Sequence, residues 1–176
     1  MLLHGGKYYG AGNDLSVLMT LIKPGETEKN GRNAVFGSMV PFLTAIKNCE
    51  KPIVAVVRGG CHGIHFTPLT LCDFVYCGSD AMFSVPFVKS FQSPEGLSTV
   101  NFAKQFGVRR ANEILFLDRP VSAKEAVESG FANAIVENLG DSDWFDVMKI
   151  PAIKKLLASD YRTIVNMKQL LIKAQD

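Results

Sequence analysis

The sequence lacks any long hydrophobic run. Its longest apolar stretches, such as "PIVAVV" at Pro52–Val57, fall far short of the roughly 20 residues that span a bilayer. The first residues have neither the charged start nor the long apolar middle of a signal peptide. Charge of one sign is also missing: 19 Lys and Arg stand against 17 Asp and Glu, mixed along the chain, for a net charge of +2. No basic run or aromatic-basic array points to nucleic acid. The four cysteines, Cys49, Cys61, Cys72 and Cys77, form no C-x-x-C pair. Free, core-type thiols in a reducing compartment are expected. Cys61, His62 and His65 lie close together in "CHGIH", but such ligands would have to share one turn. No partner cluster is evident, so no metal is expected. A P-loop and a G-x-S-x-G elbow are absent, and "GAGNDL" is half a dinucleotide fingerprint with Leu15 where the last glycine belongs. Repeats and low-complexity segments are absent too.

What is present is a chain of 176 residues, 47% hydrophobic and 20% charged, enough for one domain with a sizeable core. "MLLH" reads as a strand. Asp14, after a Gly-rich turn, suits a helix N-cap. "KPGETEKNGR" reads as a mobile loop. Val35, Met39, Phe42, Leu43 and Ile46 fall at helical spacing over Asn33–Glu50, with Pro41 expected to kink the helix or shift its start. "KPIVAVVRG" is the continuous apolar pattern of a strand buried on both faces. After a second Gly-rich turn come a short buried helix ("TPLTLC") and two strands ("DFVYCG", "AMFSVPF"). Then follow a helix closed by Gly107, another over "GVRRANEILFLD", and a third with Ser122 and Glu125 in capping-box positions before Gly130. "FANAIVE" reads as a last strand and 141–176 as an amphipathic helical tail. Strands alternate with helices, so the class is α/β.

Two Gly-rich turns, "GAGND" and "HGIHF", each join a strand-like run to a helix-like run. Glycine lets a backbone approach a ligand, and a helix start points free N–H groups outward. Converging, the two would make a two-donor oxyanion hole. By spacing alone, tight connections needed only for packing are the commoner case. "FQSPEGLSTV" sets Glu95 between a proline and a glycine, flanked by segments that read as buried. It is either a surface turn carboxylate or a carbon-acid base whose pKa an apolar pocket raises. His4, His62 and His65 read as satisfied core or loop residues. Asp73, in a strand that reads as buried, is expected to hold a neighbouring backbone group or an arginine. Tyr8 and Tyr9 suit either the core or a ligand-facing platform, with at least one in the core.

"GGKYYGAGNDLS", "EKPIVAVVRGGCHGIHFTPLTLCDFVYCGSDAMFSVPF" and "QSPEGLST", in this order, resemble the crotonase (enoyl-CoA hydratase/isomerase) superfamily. The likeness runs over essentially the whole chain and is greatest to Δ3,Δ2-enoyl-CoA isomerases of the peroxisomal and mitochondrial type. It implies a spiral of β-β-α turns over 1–138 and a C-terminal helical oligomerisation segment over 139–176. The first strands and last helices of the family are expected to be missing here. "VRGGCHG" departs from the Asn-Gly-Pro-Ala usual in relatives, through Arg58 and Gly60.

The resemblance also assigns roles. Asn13, after Gly12, and Ile64, after Gly63, would give backbone N–H groups to a thioester oxygen. Glu95 would be the single catalytic glutamate. The two hydratase glutamates fall at Thr67 and Phe87, which argues against hydration. Lys7, Tyr8 and Tyr9 would lie near the CoA nucleotide, with Gly12, Gly63 and Phe87 as further substrate contacts. Implied throughout are an acyl-CoA thioester as substrate, no cofactor beyond that coenzyme A, a homotrimer, and a peroxisomal or mitochondrial matrix setting without a targeting signal in the chain. A catalytically silent acyl-CoA- or protein-binding module is the alternative, and a hydratase a more distant one.

Overall fold

A computed structural model describes residues 2–4, 8–14, 16, 28–137 and 147–174. Strand β1 (Leu2–His4) is followed by helix α1 (Glu28–Lys47). Residues 28–32 are therefore helical where the sequence reads as loop, while the first part of that stretch lies outside the described residues. The helix runs through Pro41, whose missing N–H would have paired with the Gly37 carbonyl.

Strands β2 (Val54–Val57) and β3 (Gly60–His62) come next, then two short 3-10 turns at Gly63–His65 and Thr67–Leu71. The second Gly-rich segment is thus part strand, not all turn. Strands β4 (Phe74–Cys77) and β5 (Met82–Ser84) precede helices α2 (Ser98–Phe106) and α3 (Val108–Leu117). Strand β6 (Val121–Ser122), helix α4 (Ala123–Glu128) and strand β7 (Ala134–Ile135) close the core. Helices α5 (Pro151–Leu157) and α6 (Tyr161–Lys173) end the chain. The expected capping box at α4 is present: the Ser122 hydroxyl accepts from the Glu125 amide and the Glu125 carboxylate accepts from the Ser122 amide.

The strands form two sheets. One is all parallel, in the order β1-β2-β4-β7, with Val54 opposite Phe74 and Val57 opposite Cys77. The other has the order β3-β5-β6. Each pass of the chain lays one strand in each sheet: β2 then β3, β4 then β5. Gly59, at φ +55°, sits where β2 gives way to β3, a conformation that favours glycine. All four residues of β2 are buried, as expected for a parallel strand covered on both faces.

The main core is aromatic. Phe66, Phe83 and Phe102 are fully buried. The Phe66 ring lies 4.8 Å from Phe102 and 5.2 Å from both Phe83 and Phe131, centroid to centroid. Such pairs add about 0.5–1.5 kcal/mol each beyond burial. Phe66 stands between the second glycine turn and Thr67, so the turn is anchored directly in the core. A smaller cluster joins Val54, Val56 and Tyr76 to Ile150 and Ile153. The apolar stripe of the C-terminal helices is therefore split: Ile153 packs inward, whereas Leu157, Met167, Leu170 and Leu171 stay exposed. Among the described residues no helix is long and apolar enough to cross a membrane.

Candidate active site

The two glycine loops are stitched together by their backbones. The Tyr9 amide donates to the Arg58 and Gly60 carbonyls, each at 3.0 Å, and the His62 amide donates to the Gly10 carbonyl at 2.9 Å. Gly10 pairs with Cys61 as a parallel bridge. Beyond that bridge the loops meet at Gly12 and Gly63. A methyl group on Gly12 would stand 3.4 Å from the His62 carbonyl oxygen, and one on Gly63 would stand 3.8 Å from the Gly12 Cα. Both glycines have left-handed φ, +92° and +54°. The convergence that spacing alone leaves open is thus present. Asn13, following Gly12, is exposed, and Ile64, following Gly63, is half-buried.

Glu95 is tied through Thr67 to the turn that follows the second glycine loop. Its Oε1 accepts the Thr67 hydroxyl at 2.6 Å, while its Oε2 is buried with no hydrogen-bond partner among the described residues. Among the described residues it makes no ion pair. Burial raises the Glu95 pKa above the ordinary carboxylate range, and the Thr67 hydroxyl offsets part of that rise. The turn that presents it is constrained. Gly96 and Leu97 both have left-handed φ, +64° and +60°. A side chain on Gly96 would fall 2.7 Å from the Thr67 hydroxyl oxygen. Leu97, a non-glycine residue in this region, is strained by roughly 1–2 kcal/mol. Helix α2 then starts at once, with the Ser98 amide donating to the Glu95 carbonyl at 3.0 Å.

The remaining candidates take varied places. Tyr8 is exposed, while Tyr9 packs against the main core, where burial, then Cys61 and Cys72, raise its pKa; its phenol stays protonated. Phe87 is buried in that same core. Lys7 lies outside the described residues, as does the side chain of His4. His62 Nδ1 pairs with the Ser84 hydroxyl at 2.7 Å, and His65 Nδ1 accepts the Gly12 amide at 3.1 Å. With Cys61 buried in the core, the three residues of "CHGIH" are engaged separately. Burial pushes the Cys77 thiol up to about 11 and the Cys72 thiol up to about 12, so neither is a thiolate near neutral pH. Asp73 is not within a strand but just before β4, and it is exposed. It accepts the Ile53 amide, as expected, and its cationic partner is Lys168 rather than an arginine, both at 2.7 Å.

The contact that sequence reasoning missed is Thr67 with Glu95. Threonine in a buried turn carries no local sign of a partner 28 residues away.

A family model for enoyl-CoA hydratase/isomerase matches residues 1–173. Human enoyl-CoA delta isomerase 2 is 36% identical over 135 residues, 77% of this chain and 34% of that protein. Human testis-specific chromodomain protein Y 1 is 34% identical over 111 residues, 61% of this chain and 21% of that protein. The crystal structure of an enoyl-CoA hydratase/isomerase from Pseudoalteromonas atlantica matches with a TM-score of 0.77 and 28% identity, over 98% of this chain and 64% of that one. The chain spans about a third of the length of the human isomerase. A family-model match along nearly the whole sequence and the structural match at a TM-score of 0.77 lead to one conclusion: the chain has the crotonase fold and belongs to the enoyl-CoA hydratase/isomerase family.

Proposed function

We propose that the chain isomerises 3-enoyl-CoA to trans-2-enoyl-CoA, with Glu95 as the only base. The observation that carries this reading is the buried Oε2 of Glu95, which has no hydrogen-bond partner among the described residues; by the family resemblance, Thr67 and Phe87 stand where a hydratase would have its two glutamates. A thioester α-proton is weakly acidic, so its removal requires a nearby base and stabilisation of the enolate oxygen. Glu95 takes a proton from C2, the backbone N–H groups of Asn13 and Ile64 hold the dienolate oxygen, and the Glu95 carboxyl returns a proton at C4. A positioned base contributes roughly 10²–10⁴-fold in rate, and one oxyanion donor about 3–4 kcal/mol. Hydration would need a second carboxylate to handle water, and Thr67 and Phe87 cannot act as one. The substrate is a coenzyme A thioester, with Lys7, Tyr8 and Tyr9 on the nucleotide side and Phe87 behind the acyl pocket. The exposed Leu157, Met167, Leu170 and Leu171 make helices α5 and α6 the natural surface for a homotrimer contact.

The test offers 3-enoyl-CoA and trans-2-enoyl-CoA separately to the same preparation and follows absorbance of the conjugated thioester. The reading expects absorbance to rise with the first and hold with the second, apart from slow return to the isomerisation equilibrium. Loss of conjugation with the second, accompanied by 3-hydroxyacyl-CoA, would identify a hydratase. Binding of both without turnover would identify a silent module.

A further inference from the structure

The second glycine turn carries a histidine whose ring does something the bare turn could not. His65 directly follows Ile64, on the second loop, yet its Nδ1 accepts the amide of Gly12, on the first, at 3.1 Å. The ring also fills the space beside Gly10, where a methyl group would come within 2.3 Å of it. Tyr9 meets it edge-on at 6.4 Å. Upstream, the loops are joined by backbone pairing that ends at the Gly10–Cys61 bridge and the bond from the His62 amide to the Gly10 carbonyl. Past that point Gly12, at φ +92°, lacks the restraint a side chain would give. The His65 bond is the cross-loop tie at this residue, and Gly12 immediately precedes Asn13. Because Nδ1 accepts, the imidazole is neutral with its proton on Nε2.

We propose that His65 is a positioning residue: by accepting the Gly12 N–H it orients the Gly12–Asn13 segment, so that the Asn13 N–H and the Ile64 N–H address the same thioester oxygen. This rests on the isomerase reading for the oxyanion role of those two amides, but it assigns to His65 a task that reading does not contain. An oxyanion hole works only when its donors are held in place before the charge develops. One ring, a single residue from one donor and bonded to the residue before the other, fixes their separation.

The test compares the parent, His65→Asn and His65→Leu. Asparagine places a carbonyl oxygen close to the position of Nδ1, whereas leucine fills space without an acceptor. The first readout is the infrared carbonyl stretch of a bound saturated acyl-CoA carrying carbon-13 at the thioester carbon, which reports polarisation by the two amides without any reaction. The second is kcat and KM with 3-enoyl-CoA. We expect the parent to lower the stretch frequency, His65→Asn to retain most of that shift, and His65→Leu to lose it. Turnover should follow, with kcat of His65→Leu down roughly tenfold or more, KM within about twofold, and kcat of His65→Asn within about threefold of the parent. Equal shifts and equal kcat in all three would overturn the role of His65 and leave the isomerase reading intact. Equal losses in both variants would overturn the acceptor role in favour of simple space filling. A parent showing neither carbonyl shift nor turnover would remove the oxyanion assignment itself, and the His65 proposal with it.

Discussion

Asp73 and Glu95 are both carboxylates placed at turns beside apolar structure, and their surroundings differ in kind. Asp73 Oδ2 accepts the Ile53 amide and the Lys168 ammonium, both at 2.7 Å, and Lys168 donates in addition to the Lys51 carbonyl at 2.9 Å. That lysine is 7% exposed, so the pair pins α6 against the start of β2 and β4. Among the described residues, Glu95 has one neutral hydroxyl on one oxygen and nothing on the other. A carboxylate bonded to a cation and an amide is holding the chain together. A buried one with an unassigned oxygen is destabilised as an anion, and so is ready to accept a proton. The difference separates a charge held by structural partners from one suited to proton transfer, without reference to any relative.

The largest expected effect that would sharpen this contrast is on Glu95→Gln. Glutamine keeps the shape and the Thr67 contact but cannot take a proton, so kcat for 3-enoyl-CoA should fall by roughly 10²-fold or more with KM little changed. Its thermal midpoint at neutral pH should equal or exceed the parent's. Because folding raises the Glu95 pKa, this group's favourable contribution is fully present below its unfolded pKa. That contribution is lost as pH rises through the folded value. Between the ordinary carboxylate range and the raised pKa, parent stability should decline relative to Glu95→Gln in chemical denaturation at a series of pH values. A Gln variant less stable than the parent at neutral pH would break the comparison.

Next in size is Lys168→Met, which leaves Asp73 and the Lys51 carbonyl without their cation. Asp73 keeps part of its exposure and can recover water, so the loss should sit near the lower end for a disrupted buried pair, about 1–3 kcal/mol by urea titration. Turnover per folded molecule should stay within about twofold. A variant of parental stability would show that the pair holds nothing.

The smallest is Thr67→Val. Removing the hydroxyl removes a contact that lowers the Glu95 pKa, so the acid limb of kcat/KM against pH should move to higher pH. An unmoved limb would mean that Glu95 does not govern it.

Much of the fold was legible before the structure. The all-apolar "VAVV", the capping box at Ser122 and the glycine closing α2 are local signals, and local physics decides them. The site was legible only as separate pieces. "GAGND", "HGIHF" and "SPEG" could each be suspected, but their meeting depends on the two-sheet crossover, which no short window encodes. Thr67 illustrates the limit: its hydroxyl reads as a buried turn residue until Gly96, 29 residues on, is seen to leave room for it. The backbone partner of Asp73 was expected and is present, but its lysine was missed for the same reason, because α6 returns to β4 from 95 residues away. The second half of "KPGETEKNGR", residues 28–32, failed differently. Polar composition argues for a loop, but a helix can carry a polar first turn when its apolar face begins later, as α1 does.

The most direct test of the central claim follows one proton. The substrate is 3-enoyl-CoA carrying deuterium at C2, and the product is read by NMR for label at C2 and C4. With Glu95 as the single base, the parent should deplete C2 and deliver part of the label to C4, while Glu95→Gln should leave the label at C2 over many parental turnovers. Isomerisation by the parent with no label reaching C4, or label transfer by Glu95→Gln at the parental rate, would contradict the account.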